Sequence, residues 1–144
     1  MLVGLNSAKV LRDGERTFTS CGTPVYMAPE QVTGNGHDHR VDIWNLAVLL
    51  CELISGKTPF EASSTKLVYE RIVTGQVSFN WSVSAITLIS ARSLLMSIFH
   101  SDLSSRPTLE EIKNHRFFRS VDFDKLVHGK VEAPWFPSDS RAYV

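Results

Sequence analysis

Apolar residues are densest between positions 41 and 55, and this is the strongest structural signal in the chain. They leave no continuous polar face and comprise Val41, Trp44, Leu46, Val48, Leu49, Leu50, Leu53 and Ile54. A helix that is apolar nearly all round is typical of a protein interior, with other helices packed about it. Gly56 stands where a left-handed residue would end such a helix, and Pro59 follows. The pattern predicts a buried helix, because the segment is too long and too rich in leucine for a buried parallel strand.

Three further segments have the sequence features of helices. Positions 65–73 carry an amphipathic pattern that a glycine closes, and positions 84–99 carry a second one. Thr108 and Glu111 have the spacing of a capping box, which predicts a last helix over 109–115.

The two ends of the chain lack a periodic pattern. Positions 7–25 are polar and irregular, which predicts a loop, and Pro29 then favours a short helix that Gly34 would end. After Phe118 we expect irregular structure, with 133–137 as an extended tail held by its aromatic residues. The fold class that follows is mainly α, with a loop-like front end and an extended tail.

The composition of the 144-residue chain narrows the function classes. It has 15 basic and 15 acidic residues, and this zero net charge argues against a nucleic-acid partner. The longest apolar run, 46–51, is far shorter than the roughly 20 residues of a membrane helix, so no membrane partner is expected. Cys21 and Cys51 are too few for a disulfide framework, and the first residues do not have the pattern of a signal peptide. These features favour a cytoplasmic protein.

Four sequence motifs follow one another along most of the chain. They are GTPVYMAPE at 22–30, VDIWNL at 41–46, LISGKTPF at 53–60 and RPT at 106–108 with IKNHRFF at 112–118. This series resembles Ser/Thr protein kinases, in which the activation segment closes on Ala-Pro-Glu and a central buried helix follows. Three more segments resemble the AGC group, and within it the cyclic-AMP-dependent protein kinases. They are TFTSCGTP at 17–24, YERIVTG at 69–75 and KVEAPWFP at 130–137.

The resemblance implies a particular part of the kinase fold. That part is the helical C-terminal lobe with a piece of the activation segment, while the N-terminal lobe is absent from this chain. Residues 1–118 would form the partial protein kinase domain, and residues 119–144 would form the start of an AGC-type C-terminal tail.

The resemblance also implies a phosphorylation switch. Thr19 matches the activation-loop phosphorylation site, and Lys9 matches one partner of the phosphate. A phosphate adds nearly two negative charges and strong acceptors, which order a loop where cations surround it. The family's arginine beside the catalytic aspartate is not in this sequence. Taken locally, Thr19 is one hydroxyl in a polar loop with Thr17 and Ser20, and that interpretation stays open.

A second implied site positions the substrate. Gly22, Thr23 and Pro24 match the loop that cradles the phosphoacceptor, and Glu52 matches the carboxylate that recognises a basic residue just before it. Because an unpaired buried charge is costly, Glu52 is either this substrate contact or half of a structural ion pair. Val25 stands where the family has a second acidic residue, which weakens any preference for arginine.

Further matched residues are structural. Glu30 and Arg106 match a buried ion pair that ties the activation segment to the last helices. Trp44 matches a buried residue of the central helix. Asp42 matches a carboxylate that accepts hydrogen bonds from the catalytic loop. Because that loop is absent from this sequence, we expect Asp42 to be solvated.

The sequence contains no catalytic residue of the family. The glycine-rich lid, the strand lysine and the catalytic-loop aspartate and asparagine, which position and neutralise the nucleotide phosphates, are not in it. Where the magnesium-binding aspartate should fall, the chain has Asn6. ATP and Mg²⁺ are therefore cofactors of the parent family, and we expect this chain to bind neither. We expect no metal site at 37–39, because adjacent residues rarely converge on one ion.

Three interpretations of function remain. The chain is part of a Ser/Thr protein kinase that is inactive alone, or a non-catalytic docking module for protein substrates or a regulatory subunit. In the second case the docking face would be the helix at 65–73 together with Phe18. The third is a helical remnant without a partner.

Overall fold

The computed structural model describes residues 5–79 and 85–135, without the side chains of 85–88. The helices in this part of the chain are α1 (Pro29–Thr33), α2 (Arg40–Ser55), α3 (Thr65–Thr74), α4 (Ala85–Ile98), α5 (Leu109–Lys113) and α6 (Phe123–Val127). Single 3₁₀ turns occupy Leu5–Ser7, Pro24–Tyr26, Leu103–Ser105 and Arg116–Phe118. Within the described ranges there is no strand, and only an isolated antiparallel bridge joins Thr17 to His37. The mainly α prediction is confirmed.

The core is built on one side of α2. Trp44 is fully buried, stacks on Phe60 with ring centroids 5.4 Å apart, and meets the edge of Phe99 at 5.0 Å. Offset and edge-to-face arrangements suit the aromatic quadrupole. These contacts join α2 to the loop before α3 and to the end of α4.

The opposite side of α2 corrects the expectation of burial all round. The exposed fractions are 42% for Leu46, 42% for Leu49 and 74% for Leu53. The pattern of apolar residues records the apolar content of a helix and not which of its faces other elements cover.

Glycine stops explain why several helix ends match their predictions. Gly34, Gly56 and Gly75 follow α1, α2 and α3 in the left-handed conformation, with φ of 69°, 74° and 67°. Glycine adopts this conformation without the Cβ clash that other residues suffer. The predicted start of the helix at 84–99, Ser84, lies outside the described residues, and α4 runs from Ala85 to Ile98.

The capping box at α5 forms as predicted, although the helix ends at Lys113, two residues earlier than expected. The Thr108 hydroxyl accepts from the Glu111 amide at 3.3 Å, and the Glu111 carboxylate accepts from the Thr108 amide at 2.7 Å.

We expect Thr108→Ala to lower the free energy of unfolding by about 1 kcal/mol, because the first turn loses an acceptor for its free amides. Urea denaturation followed by circular dichroism measures the change. Thr65→Ala is the matched control, since Thr65 is an exposed threonine that caps no helix. Equal losses in the two variants would contradict the assignment.

The region after Phe118 is more ordered than predicted. Helix α6 begins after Asp122, whose side chain accepts from the Lys125 amide at 3.0 Å. Phe123 places α6 against Phe118, with ring centroids 5.7 Å apart. Trp135 is 70% exposed, so it does not hold the tail as expected, and residues 136 and 137 of that segment lie outside the described residues. No helix in the described part of the chain is long and apolar enough to cross a membrane.

Candidate functional site

The predicted phosphorylation site lies in a loop that is pinned at one point. The backbones of Thr17 and His37 exchange two hydrogen bonds of 2.9 Å. The Lys9 amine donates to the Thr17 hydroxyl at 3.3 Å, and the Thr17 and Thr19 hydroxyls are 3.3 Å apart. The structure thus places Lys9 and Thr19 on either side of one hydroxyl. Both side chains are exposed.

The predicted substrate-positioning segment lies next to the start of a 3₁₀ turn. Gly22 has φ of 117°, a conformation that side chains rarely adopt, and Thr23 is exposed. Pro24 begins the turn, which the Tyr26 amide closes by donating to the Thr23 carbonyl at 2.9 Å.

Tyr26 joins this turn to α2. Its hydroxyl donates to Oε2 of Glu52. The Asn45 amide, oriented to satisfy both carbonyls, donates to Tyr26 at 2.6 Å and to Val41 at 3.2 Å. Glu52 forms no ion pair within the described ranges, so its partner is a phenol and not the cation that one interpretation expected. Oε1 of Glu52 has no hydrogen-bond partner among the described residues.

The Tyr26–Glu52 contact changes the titration of the phenol. The hydrogen bond to Glu52, with burial and the carboxylate charge, raises the pKa of Tyr26 from 10.0 to about 12. Because the folded-state pKa is the higher one, the contact stabilises the fold fully below pH 10. That contribution is lost as the pH rises through about 12.

We expect Glu52→Gln to return the pKa of Tyr26 toward 10.0, because both the charge and the charged acceptor are lost. An absorbance titration of tyrosinate measures the change. Because the chain has three tyrosines, the transition that disappears in Tyr26→Phe is the one that belongs to Tyr26. Glu110→Gln, at an exposed position on α5, is the control. Titration of all three tyrosines at the ordinary pKa in the parent chain would contradict the contact.

Glu30 and Arg106 form a buried bidentate ion pair. The guanidinium nitrogens donate to the two carboxylate oxygens at 2.6 and 2.7 Å, and the side chains are 5% and 0% exposed. Nε of Arg106 donates to the His100 carbonyl at 3.0 Å, and the guanidinium lies 4.9 Å from the Trp44 ring centroid. The pair joins α1 to the segment before α5 and places a cation over the aromatic core.

Two more predicted residues stand at α2. Asp42 is exposed in the first turn of the helix, and its carboxylate has no hydrogen-bond partner in the described part of the chain. Trp44 is fully buried, and its Nε1 donates to no described acceptor.

The segment 37–39 is structural. Arg40 pairs with Asp38 at 2.7 Å and donates to the Leu103 carbonyl at 3.3 Å. The Arg40 guanidinium lowers the pKa of Asp38 to about 2. Residues 5–79 and 85–135 contain no group of three acidic, histidine or cysteine side chains that could hold a metal ion.

Asn6 is the one described position that bears on the Mg²⁺ of the parent family. Asn6 is an exposed residue of the first 3₁₀ turn and offers a neutral amide where a magnesium site needs a carboxylate.

Sequence reasoning missed two contacts of the site. Tyr26 lies inside the motif at 22–30, and its partner is twenty-six residues away on α2. The hydrogen bond from Arg40 to the Leu103 carbonyl joins residues that are 63 positions apart. The usable signal for the first was Glu52 itself, a carboxylate on an apolar helix that needed a partner.

Comparison with known proteins gives consistent matches. The family model for the protein kinase domain matches residues 2–118. A Caenorhabditis elegans protein described as a cAMP-dependent protein kinase, catalytic subunit-like, is 35% identical, covering 91% of this chain and 33% of the relative. A RAC family serine/threonine-protein kinase homolog of Dictyostelium discoideum is 36% identical, with coverage of 94% and 30%. Protein kinase 2 of the same organism is 33% identical, with coverage of 90% and 27%.

The chain therefore belongs to the protein kinase domain family, and its relatives include serine/threonine kinases of the AGC type. It spans about a third or less of the length of these curated relatives. The resemblance drawn from the motifs is confirmed.

Proposed function

We propose that this chain carries the substrate side of a Ser/Thr protein kinase of the AGC, cyclic-AMP-dependent type and does not transfer phosphate by itself. In this proposal residues 1–118 are the partial kinase domain and residues 119–144 the start of the tail. The family membership supports the kinase class. The proposal of inactivity rests on Asn6 and on the catalytic motifs that this sequence lacks.

The observation that carries the substrate-side role is the contact between Tyr26 and Glu52. It fixes the end of the segment at 22–24 to α2, the helix that carries the buried Trp44. It also holds the partly exposed carboxylate of Glu52 beside that segment, where Oε1 accepts no hydrogen bond from a described residue. A basic side chain of a bound peptide would pair with this oxygen.

Peptide binding tests this role. A labelled peptide with arginine just before its serine should bind about tenfold more tightly, by fluorescence anisotropy, than the same peptide with alanine there. Glu52→Gln should remove the difference, and Glu110→Gln should preserve it. Equal affinities of the two peptides for the parent chain would contradict the role.

We also propose Thr19 as a phosphorylation site. Thr19 is exposed in a loop that the Thr17–His37 bridge holds in place. The Thr17 hydroxyl lies between the Thr19 hydroxyl and the Lys9 amine, 3.3 Å from each. A phosphate on Thr19 would pair with Lys9 and order the loop. In limited proteolysis, residues 9–19 should be cleaved more slowly in the chain phosphorylated at Thr19 than in the unmodified chain. Lys9→Ala should reduce this difference in cleavage rate.

The second candidate is a docking module for a regulatory subunit. Phe18 is 71% exposed, yet its ring lies so close to Gly36 that a Cβ there would approach within 2.8 Å. The ring thus lies against the Gly36 backbone while most of its surface stays exposed, and aromatic side chains are frequent anchors of protein interfaces. A pull-down with a cyclic-nucleotide-dependent regulatory subunit tests this candidate. Binding should be lost in Phe18→Ser and kept in Val10→Ser, and no binding at micromolar concentration would contradict it.

A further inference from the structure

The loop between α1 and α2 contains an asparagine followed by a glycine, Asn35–Gly36. The other four asparagines of the sequence precede serine, leucine, tryptophan or histidine. Asparagine is among the chemically labile residues of proteins. Because glycine has no side chain, its backbone nitrogen can approach the side chain of the residue before it without a clash. The sequence of this loop therefore favours attack of the main chain on the asparagine amide.

Neither reacting group is held by a hydrogen bond. Asn35 is exposed, and its side-chain amide has no partner among the described residues. The backbone amide of Gly36 donates to no acceptor in residues 5–79 and 85–135. Both residues line an open cavity of about 480 Å³, which admits water to them. By contrast, the Asn45 amide donates to two carbonyls, at 2.6 and 3.2 Å.

We propose that Asn35 is a self-modification site, at which the side-chain amide converts to a carboxylate without an enzyme. The deprotonated backbone nitrogen of Gly36 bonds to Cγ of Asn35, and the amide nitrogen of Asn35 leaves as ammonia. Water then opens the resulting cyclic imide at either of its carbonyls. One opening gives aspartate, and the other gives isoaspartate, in which the main chain runs through the side chain. This inference goes beyond the proposed function and does not depend on it.

Isoaspartate at this position opens the bridge between Thr17 and His37. It inserts a methylene group into the main chain two residues before His37, whose backbone exchanges two hydrogen bonds of 2.9 Å with Thr17. The ring of Phe18 lies against Gly36, so a displacement of Gly36 removes that contact as well. The conversion therefore releases the loop that the bridge holds in place.

The conversion also adds one negative charge beside two arginines. Arg16 and Arg40 line the same cavity as Asn35. The guanidinium of Arg16 has no partner in the part of the chain that the structure describes, so it is free to pair with the new carboxylate. An exposed pair of this kind contributes little to stability, and the added charge alone should leave the loop in place.

Peptide mapping of the aged 144-residue chain tests the site. The chain is incubated at neutral and at mildly alkaline pH and then digested with trypsin, which yields a peptide of residues 17–40 with Asn35 as its one asparagine. This peptide should gain the mass difference between an amide and an acid. The gain should be faster at the higher pH, because the attack needs a deprotonated Gly36 amide. Methylation by a protein isoaspartate methyltransferase measures the isoaspartate fraction.

Two controls separate this site from general ageing. Asn35→Gln should not convert, because a longer side chain must close a larger and less favourable ring. Asn45, with its two hydrogen bonds, should stay an amide in the same digest. A synthetic peptide of residues 17–40 gives the rate without the fold. Conversion of that peptide but not of the folded chain would overturn the inference, as would equal conversion at Asn35 and Asn45.

Brief digestion of the native chain with trypsin tests the release of the loop. Cleavage after Arg16 should be several times faster in the aged parent chain than in the fresh one, and ageing should not change it in Asn35→Gln. Asn35→Glu carries the added charge without the longer main chain, so it should be cleaved at the rate of the fresh parent. Unchanged cleavage after conversion, or equally fast cleavage of Asn35→Glu, would overturn the release. Loss of the helical circular dichroism signal on ageing would assign the faster cleavage to unfolding and would also overturn it.

Discussion

Replacing Arg106 by methionine is expected to lower the free energy of unfolding by about 3–5 kcal/mol. The change leaves the carboxylate of Glu30 buried without its partner, and the donors at 2.6 and 2.7 Å are lost together. It also removes the cation that lies over Trp44. Urea denaturation, followed by circular dichroism and tryptophan fluorescence, measures the loss.

The control for this prediction removes both charges at once. Glu30→Met combined with Arg106→Met leaves no unpaired charge, so its loss should be clearly smaller than the sum of the two single losses. Arg106→Lys keeps the charge but not the planar fork, and it should not restore the parent stability. A loss of less than about 1 kcal/mol in Arg106→Met would contradict the buried pair, since that is the range of exposed ion pairs.

The second large effect is expected at the aromatic core. Trp44→Ala should lower the free energy of unfolding by about 3–5 kcal/mol, because it opens a cavity where three elements meet. The ring contacts with Phe60 and Phe99, at 5.4 and 5.0 Å, are lost with it. The measurement is the same urea titration, with circular dichroism as the probe because the substitution removes one of the three tryptophans and so changes the fluorescence signal itself.

Leu109→Ala provides the comparison for the core variant. Leu109 is 55% exposed on α5, so its truncation should change the free energy of unfolding by no more than about 0.5 kcal/mol. Similar losses at Trp44 and Leu109 would show that α2 does not organise the core as described.

Helix positions could be predicted because the signals are local. The apolar run, the left-handed glycines and the capping pair at Thr108 and Glu111 each act within one or two turns of the helix they begin or end. Helix α6 was missed because, unlike the equally short α1 and α5, it has neither a proline in its first turn nor a capping box. Its signal, Asp122 as an N-cap followed by a glycine at position 129, was too short to show a period.

The parts that sequence could not predict depend on distant partners. A pattern of apolar residues does not say which face of α2 finds a neighbour, so the exposure of Leu53 appeared only in three dimensions. The carboxylate of Glu52 was recognised as needing a partner, but its pairing with Tyr26 depends on how the 3₁₀ turn meets α2. The Glu30–Arg106 pair came from the family resemblance, because nothing in either local sequence links residues so far apart.

Phosphate transfer is the measurement that tests the central proposal most directly. The purified chain is incubated with radiolabelled ATP, Mg²⁺ and a peptide carrying arginine just before serine, beside an active AGC kinase as the positive control. We predict no incorporation above that of a sample without protein, because Asn6 replaces the magnesium carboxylate and the catalytic motifs are not in this sequence. Stoichiometric or catalytic transfer to the peptide by the purified chain would contradict the account.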